Sequence, residues 1–200
     1  MMYKNSMLLS TMGLIALVSV ANGIYLDAVK NFDLTKFRDI NGGLFYVVAL
    51  ANNQLPLNIA CESYATIQYS NVVTKPSSSF DFTESCVAVN QQTHEKSFRT
   101  FSGSAKLQGP EAGRFVAGVG GNYTDNLIVT FVSEDYSIAV ISPGDEYLSA
   151  FVQSSKPQLS VPELQLVAAV LNKRGLSPYH LILTQDGPYS GYLLSYFDTL

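Results

Sequence analysis

The feature that most constrains this chain is a train of short runs rich in Val, Ile, Tyr, Phe and Thr, each closed off by Gly, Pro, Ser, Asn or Asp. β-Branched and aromatic side chains suit a pleated surface, and the punctuating residues suit tight turns, so an all-β fold is predicted. Strands are expected near 43–51, 61–70, 85–92, 97–106, 113–119, 126–133, 136–142 and 147–154, with a ninth near 180–185. Turns are expected at 75–79, 109–113, 120–126 and 142–145. Connections this short make neighbours in sequence neighbours in space, which gives an up-and-down antiparallel meander.

One segment departs from the pattern. Ser160-Val161-Pro162-Glu163 reads as a capping box, and behind it Leu164, Val167, Ala168 and Leu171 form one apolar stripe at helical spacing. Lys173 and Arg174 suit the negative end of the helix dipole, and Gly175 suits a left-handed stop. A helix over 160–174 follows. Eight sequential strands, that helix and one further strand make an eight-stranded antiparallel up-and-down β-barrel with a C-terminal α-helix packed outside.

A barrel of eight strands has an interior that side chains fill or that holds one small ligand. Alternation points Phe45, Val47, Ala49, Ala65, Ile67, Tyr69, Phe101, Phe115, Ala117, Val129, Phe131 and Phe151 inward as candidate lining residues. Ala49, Ala65 and Ala117, with Ser63 and Ser149, leave room. The rings of Tyr69, Phe101, Phe115 and Phe131 equally suit a solid core. Side-chain volume leaves both readings open.

The front of the chain reads as a signal peptide over 1–21: Lys4, an apolar stretch from Met7 to Val20, then small residues, with cleavage after Ala21 or after Gly23. The stretch falls short of a bilayer span of about 20 residues. Residues 24–200 then form one domain, secreted and without a membrane span. Asn122-Tyr123-Thr124 is an acceptor sequence for N-glycosylation, expected on a turn. Cys61 and Cys86 are the only cysteines. An oxidising compartment favours a disulfide between them, but both are expected to open successive antiparallel strands, which sets them apart. Bonded and free states both stand.

A net charge of −4 with no basic cluster excludes a nucleic-acid partner. His94 and His180 lack ligand spacing, so no metal site is expected. Gly187-Pro188-Tyr189-Ser190-Gly191 has the wrong spacing for a nucleophile elbow, and Gly118-Val119-Gly120-Gly121 lacks the lysine and helix of a phosphate loop. No catalytic residue and no cofactor are expected. The tail over 188–200 is apolar; it either packs back on the barrel or serves a homo-oligomer or protein partner.

From about Asn31 to Gln185, the order of these features resembles the lipocalin family, in a divergent, secreted, insect or apolipoprotein D-like form. Asn31-Phe32-Asp33-Leu34-Thr35-Lys36-Phe37 is similar to that family's leading segment, and Gly43-Leu44-Phe45 to its Gly-x-Trp, with Phe45 in the tryptophan's place. Glu134-Asp135-Tyr136 is similar to the second motif, Thr-Asp-Tyr. Pro157 and Leu159 fit the third motif, but Ser155 stands where the family has arginine. In lipocalins that arginine packs on the tryptophan at the closed end. Its loss together with the tryptophan implies a floor closed by apolar packing around Phe45, with Ser155 supplying at most a neutral hydrogen bond. The resemblance implies extracellular binding and transport of a small hydrophobic ligand: a fatty acid, retinoid, pigment, odorant or steroid-like molecule. With no cationic cluster expected inside, a neutral ligand suits it better than a fatty carboxylate. Alternatives are a barrel acting through its surface on another protein, and the cysteine-dependent chemistry of a minority of lipocalins through Cys61 or Cys86.

Overall fold

The computed structural model of the protein describes residues 27–51, 63–75, 78–89, 93, 95–119, 122–143, 150–173 and 181–183. The expected signal peptide, Cys61, His94, His180, the 187–191 turn and the apolar tail lie outside these residues.

A short helix α1 (Leu34–Asp39) precedes the sheet. Asp33 caps it, its Oδ1 accepting from the Thr35 and Lys36 backbone N–H groups at 2.9 and 3.0 Å. A 3₁₀ turn, Ile40–Gly43, delivers the chain to β1. Gly43 sits there at φ +81°, and a Cβ on it would stand 2.6 Å from the Tyr69 carbonyl oxygen, so the turn into β1 needs glycine on both counts.

The strands are β1 (Leu44–Ala51), β2 (Ser63–Val73), β3 (Ser79–Val89), β4 (Lys96–Leu107), β5 (Arg114–Val119), β6 (Asn122–Val132), β7 (Ile138–Pro143), β8 (Ala150–Ser154) and β9 (Leu181–Leu183). Each of the first seven pairs antiparallel with its successor, and β8 returns to β1, which closes an eight-stranded barrel. β9 joins β1 along residues 49–51, beyond the stretch 44–46 where β1 meets β2. Helix α2 (Val161–Lys173) follows β8, within a residue of its expected bounds at either end. Glu163 Oε2 accepts from both the backbone N–H and the hydroxyl of Ser160, each at 2.7 Å. These bonds, the backbone one first, hold the Glu163 carboxyl below its usual range.

Two expected boundaries shift by four residues or more. β3 begins at Ser79 rather than 85, because Ser79-Phe80-Asp81-Phe82 alternates correctly against β2 and β4 despite its Ser and Asp content. β6 begins at Asn122 rather than 126, so Asn122 opens a strand paired with Val119 instead of lying in the turn.

Two hydrophobic clusters hold the barrel. The inner one gathers Phe32, Leu34 and Phe37 with inward residues of β1 to β7. The outer one seats the Val167 and Leu171 face of α2 on Val48, Ile138, Val140, Ala150 and Val152. Alternation along β1 puts Phe45 and Val47 in the first cluster and Val48 in the second.

Candidate functional site

One end of the interior is closed by rings. Phe37, carried by α1, stacks on Phe45 with centroids 4.2 Å apart and planes 17° from parallel. Tyr69 meets both rings, at 5.3 and 5.9 Å; Phe80 meets Tyr69 and Phe115, at 5.3 and 5.1 Å. Phe32 lies against Phe37, Phe115 and Tyr136. Phe45, expected to close the floor, is fully buried in this aromatic packing. Ser155 takes part through its backbone: its N–H donates to the Ser137 carbonyl at 2.8 Å, and its carbonyl accepts from Asn41 Nδ2 at 3.3 Å.

The Glu134-Asp135-Tyr136 turn locks the outside of that floor. The Asp135 Oδ1 accepts from the hydroxyls of Ser133 and Ser137, at 2.7 and 2.8 Å, and from the Ser137 N–H at 3.1 Å. Those bonds, that of Ser133 first, hold its carboxyl below the usual range. Tyr136 Oη accepts from the Asp33 N–H at 3.1 Å, which ties the turn to the leading segment. The Lys36 ammonium lies 4.3 Å from the Tyr136 ring centroid and donates to the Glu134 carbonyl at 3.0 Å. A cation over an aromatic face is therefore present at this end, built from Lys36 and Tyr136.

Alongside the rings, the inward positions include small and polar side chains. Ala65, Ala105, Ala117 and Ala139 belong to the inner cluster. Gln153 on β8 lies between Val47 and Ala139, its register partners on β1 and β7 and both inner-cluster residues. Its side chain reaches Tyr69, whose Oη donates to Gln153 Oε1 at 2.8 Å. Burial, opposed by that bond and reinforced by the charge of Glu84, raises the Tyr69 pKa and keeps the phenol neutral. Glu84 follows Phe80 and Phe82 in the inward alternation of β3 and stands opposite Ile67 and Phe101. Desolvation raises its carboxyl above the ordinary range.

Of the candidate lining residues, Phe45, Val47, Ala65, Ile67, Tyr69, Phe115, Ala117 and Val129 meet in the inner cluster, and Phe151 packs against it. Phe101 faces inward opposite Glu84 and is 38% exposed. Ala49 and Asn122 lie on β1 and β6, where only the backbone is described. Phe131 is corrected: it packs against the outer cluster, because the register of β6 against β7 slips between Val129 and Phe131 and turns its side chain outward. The placement of Cys86 is also corrected. It lies near the end of β3, not at its start; there β3 runs beside the beginning of β2, with Ser63 opposite Val87. Cys86 is fully buried and disulfide-bonded, so it presents no thiolate.

Gln153 and Glu84 escaped the reading of the sequence. The signal for Gln153 was its spacing of two from Phe151; for Glu84 it was Phe80-x-Phe82-x-Glu84-x-Cys86, hidden by the late start assigned to β3. Among the described residues, no group of three or more His, Cys, Asp and Glu side chains is placed to hold a metal ion, and no helix is long and apolar enough to cross a membrane.

No protein-family model matches the chain, and no curated protein sequence shows significant similarity to it. Solved structures share its fold. Lobster apocrustacyanin A1 superposes with a TM-score of 0.58 at 15% identity, over 78% of this chain and 84% of that one. Apocrustacyanin C2 gives 0.56 at 13% identity over 90% and 87%, and apocrustacyanin C1 gives 0.53 at 14% over 96% and 92%. At such identities the likeness establishes a common architecture, the lipocalin-like barrel.

Proposed function

We propose that this protein is a divergent, secreted lipocalin that binds and carries a small, largely apolar ligand inside its barrel. The observation that carries the reading is the mixed chemistry of the interior. Rings pack one end shut, small side chains (Ala65, Ala117, Ala139) share the same inner face, and Tyr69, itself one of the rings, is bonded to a buried Gln153. A solid core has no need of that pair. A ligand site combines apolar walls with a few oriented polar groups. The apocrustacyanins share the architecture and lend no ligand to the argument.

Export is the reading of the signal-peptide layout of 1–21 and of the glycosylation sequence at Asn122, the first residue of β6. Cys61 is the chain's one other cysteine and lies two residues before Ser63, which pairs with Val87, so we assign it as the partner of Cys86. The bond would then tether the approach to β2 against β3 and leave no thiol for catalysis.

The test is titration of the mature protein with an environment-sensitive apolar fluorophore, followed by competition with lipids of several classes. Saturable emission, displaced by at least one class, is the expected result. Emission that never saturates, or that no lipid displaces, would rule out the interior as a binding site. Mass spectrometry of extracts from protein purified from its native source would identify the class.

A further inference from the structure

The side-chain amide of Gln153 is completely buried, yet its Nε2 has no hydrogen-bond partner, the only buried side-chain polar atom in that position among the described residues. Folded proteins leave few such atoms, because an amide taken out of water without a partner is unfavourable. Turning the amide over does not remove the deficit. Nε2 would then donate to the Tyr69 oxygen, leaving both the Gln153 carbonyl and the phenolic proton unmatched. As placed, the phenol donates to Oε1 and only Nε2 is left over. The residues flanking Gln153 across the sheet are Val47 and Ala139, whose side chains carry no group that could accept the amide proton.

We propose that Gln153 is the polar anchor of the interior and selects a neutral apolar molecule bearing a hydrogen-bond acceptor, a carbonyl or ether oxygen, at its buried end. This rests on the reading of the interior as the binding site. Gln153 Nε2 donates to that oxygen, and Tyr69 holds the amide so that the donor faces inward. Charge on the same inner face sets the selectivity. Glu84 is close enough for its charge to be felt at Tyr69. A carboxylate headgroup brought to Gln153 would meet a second carboxyl in a poorly solvated space. Arg99, opposite Cys86 and exposed, is a cation facing this way from near the end of β4 remote from the ring-packed floor. It can serve an acid at the mouth but not at the depth of Gln153. A neutral acceptor meets neither difficulty.

The experiment uses the mature protein, a displaceable apolar fluorophore and three competitors of equal chain length: a methyl ketone, an alkane and a fatty acid. The ketone should bind roughly tenfold tighter than the alkane, as expected for one buried hydrogen bond, and tighter than the acid. Gln153→Leu should abolish the preference over the alkane while changing alkane affinity by less than about twofold. The double variant Tyr69→Phe with Gln153→Leu removes the pair without stranding the phenol and should behave the same way. Independently of any variant, the infrared carbonyl stretch of a labelled ketone should move to lower frequency on binding. Equal affinities for ketone and alkane, a preference that survives either variant, tighter binding of the acid, or an unshifted carbonyl would each overturn the anchor while leaving the interior as the binding site. A fluorophore that fails to bind, or that none of the three displaces, would overturn both readings.

Discussion

Outside the barrel, α2 is seated on Val48, Ile138, Val140, Ala150 and Val152 through Val167 and Leu171, so the fully buried members of that cluster are all aliphatic. Inside, the buried cluster mixes Phe45, Phe80 and Phe115 with alanines and includes Tyr69; Gln153 is buried among its strands, and Glu84 faces the same way. The same strands supply both clusters, often through adjacent residues: Val47 and Val48, Ala139 and Val140, Gln153 and Val152. The outer cluster needs only complementary shape to hold a helix, and nothing in it costs solvation. The inner cluster retains polar atoms that oppose stability, which folding alone does not explain.

Substitutions should separate the two clusters by what they change. Phe45→Ala removes a fully buried ring stacked on Phe37 and should cost about 3–5 kcal/mol in chemical denaturation, the largest single loss expected. Leu171→Ala, in the outer cluster, should cost about 2–5 kcal/mol and leave ligand affinity unchanged. Altered affinity in a folded Leu171→Ala protein would mean that the clusters are coupled through the sheet. Tyr69→Phe strips Gln153 of its one bond and should cost about 1–3 kcal/mol, with no counterpart among the aliphatic outer residues.

Two carboxyls make the same comparison through pH, with opposite slopes. The folded state raises Glu84 above its ordinary 4.5 and so binds its proton more tightly than the unfolded chain does. Its contribution is complete below that value and is lost as pH rises through the elevated pKa. The folded state lowers Asp135 below its ordinary 3.8, so its contribution is complete above that value and is lost as pH falls through the depressed pKa. Denaturation midpoints across acid to neutral pH should lose the first slope in Glu84→Gln and the second in Asp135→Asn; an unchanged profile in either would refute the assignment. The smallest effect is expected from Lys36→Met at the floor's outer surface, about 0.5–1 kcal/mol for the contact with Tyr136. A thermal melt indistinguishable from that of the parent would show that the contact contributes nothing.

The legible parts of the molecule were those written locally. The helix stood out because cap, stripe and terminal charge coincide within fifteen residues over 160–174. The strand order followed from short connections, and the family resemblance, with Phe45 and Ser155 in the places of tryptophan and arginine, implied a floor of apolar packing around Phe45. The candidate site was less legible. Phe131 was expected inside because alternation was carried unbroken past Thr130, where the pairing slips. Cys86 was set at the wrong end of β3 because Ser79-Phe80-Asp81 resembles a turn in composition. Gln153 and Glu84 drew no notice, since a polar residue in a strand is ordinarily a solvent-facing one.

By itself, then, the sequence determined the class of fold, the number and order of the strands and the capped helix. These depend on spacing and side-chain type over a few residues. Only the tertiary structure decided which face each side chain occupies and which polar atoms lose water. A single slipped residue between paired strands reverses every side chain beyond it, and that slip is a property of two strands together. Burial of Gln153 likewise depends on Val47, Ala139 and Tyr69, residues that the chain order keeps far from it and only barrel closure brings near.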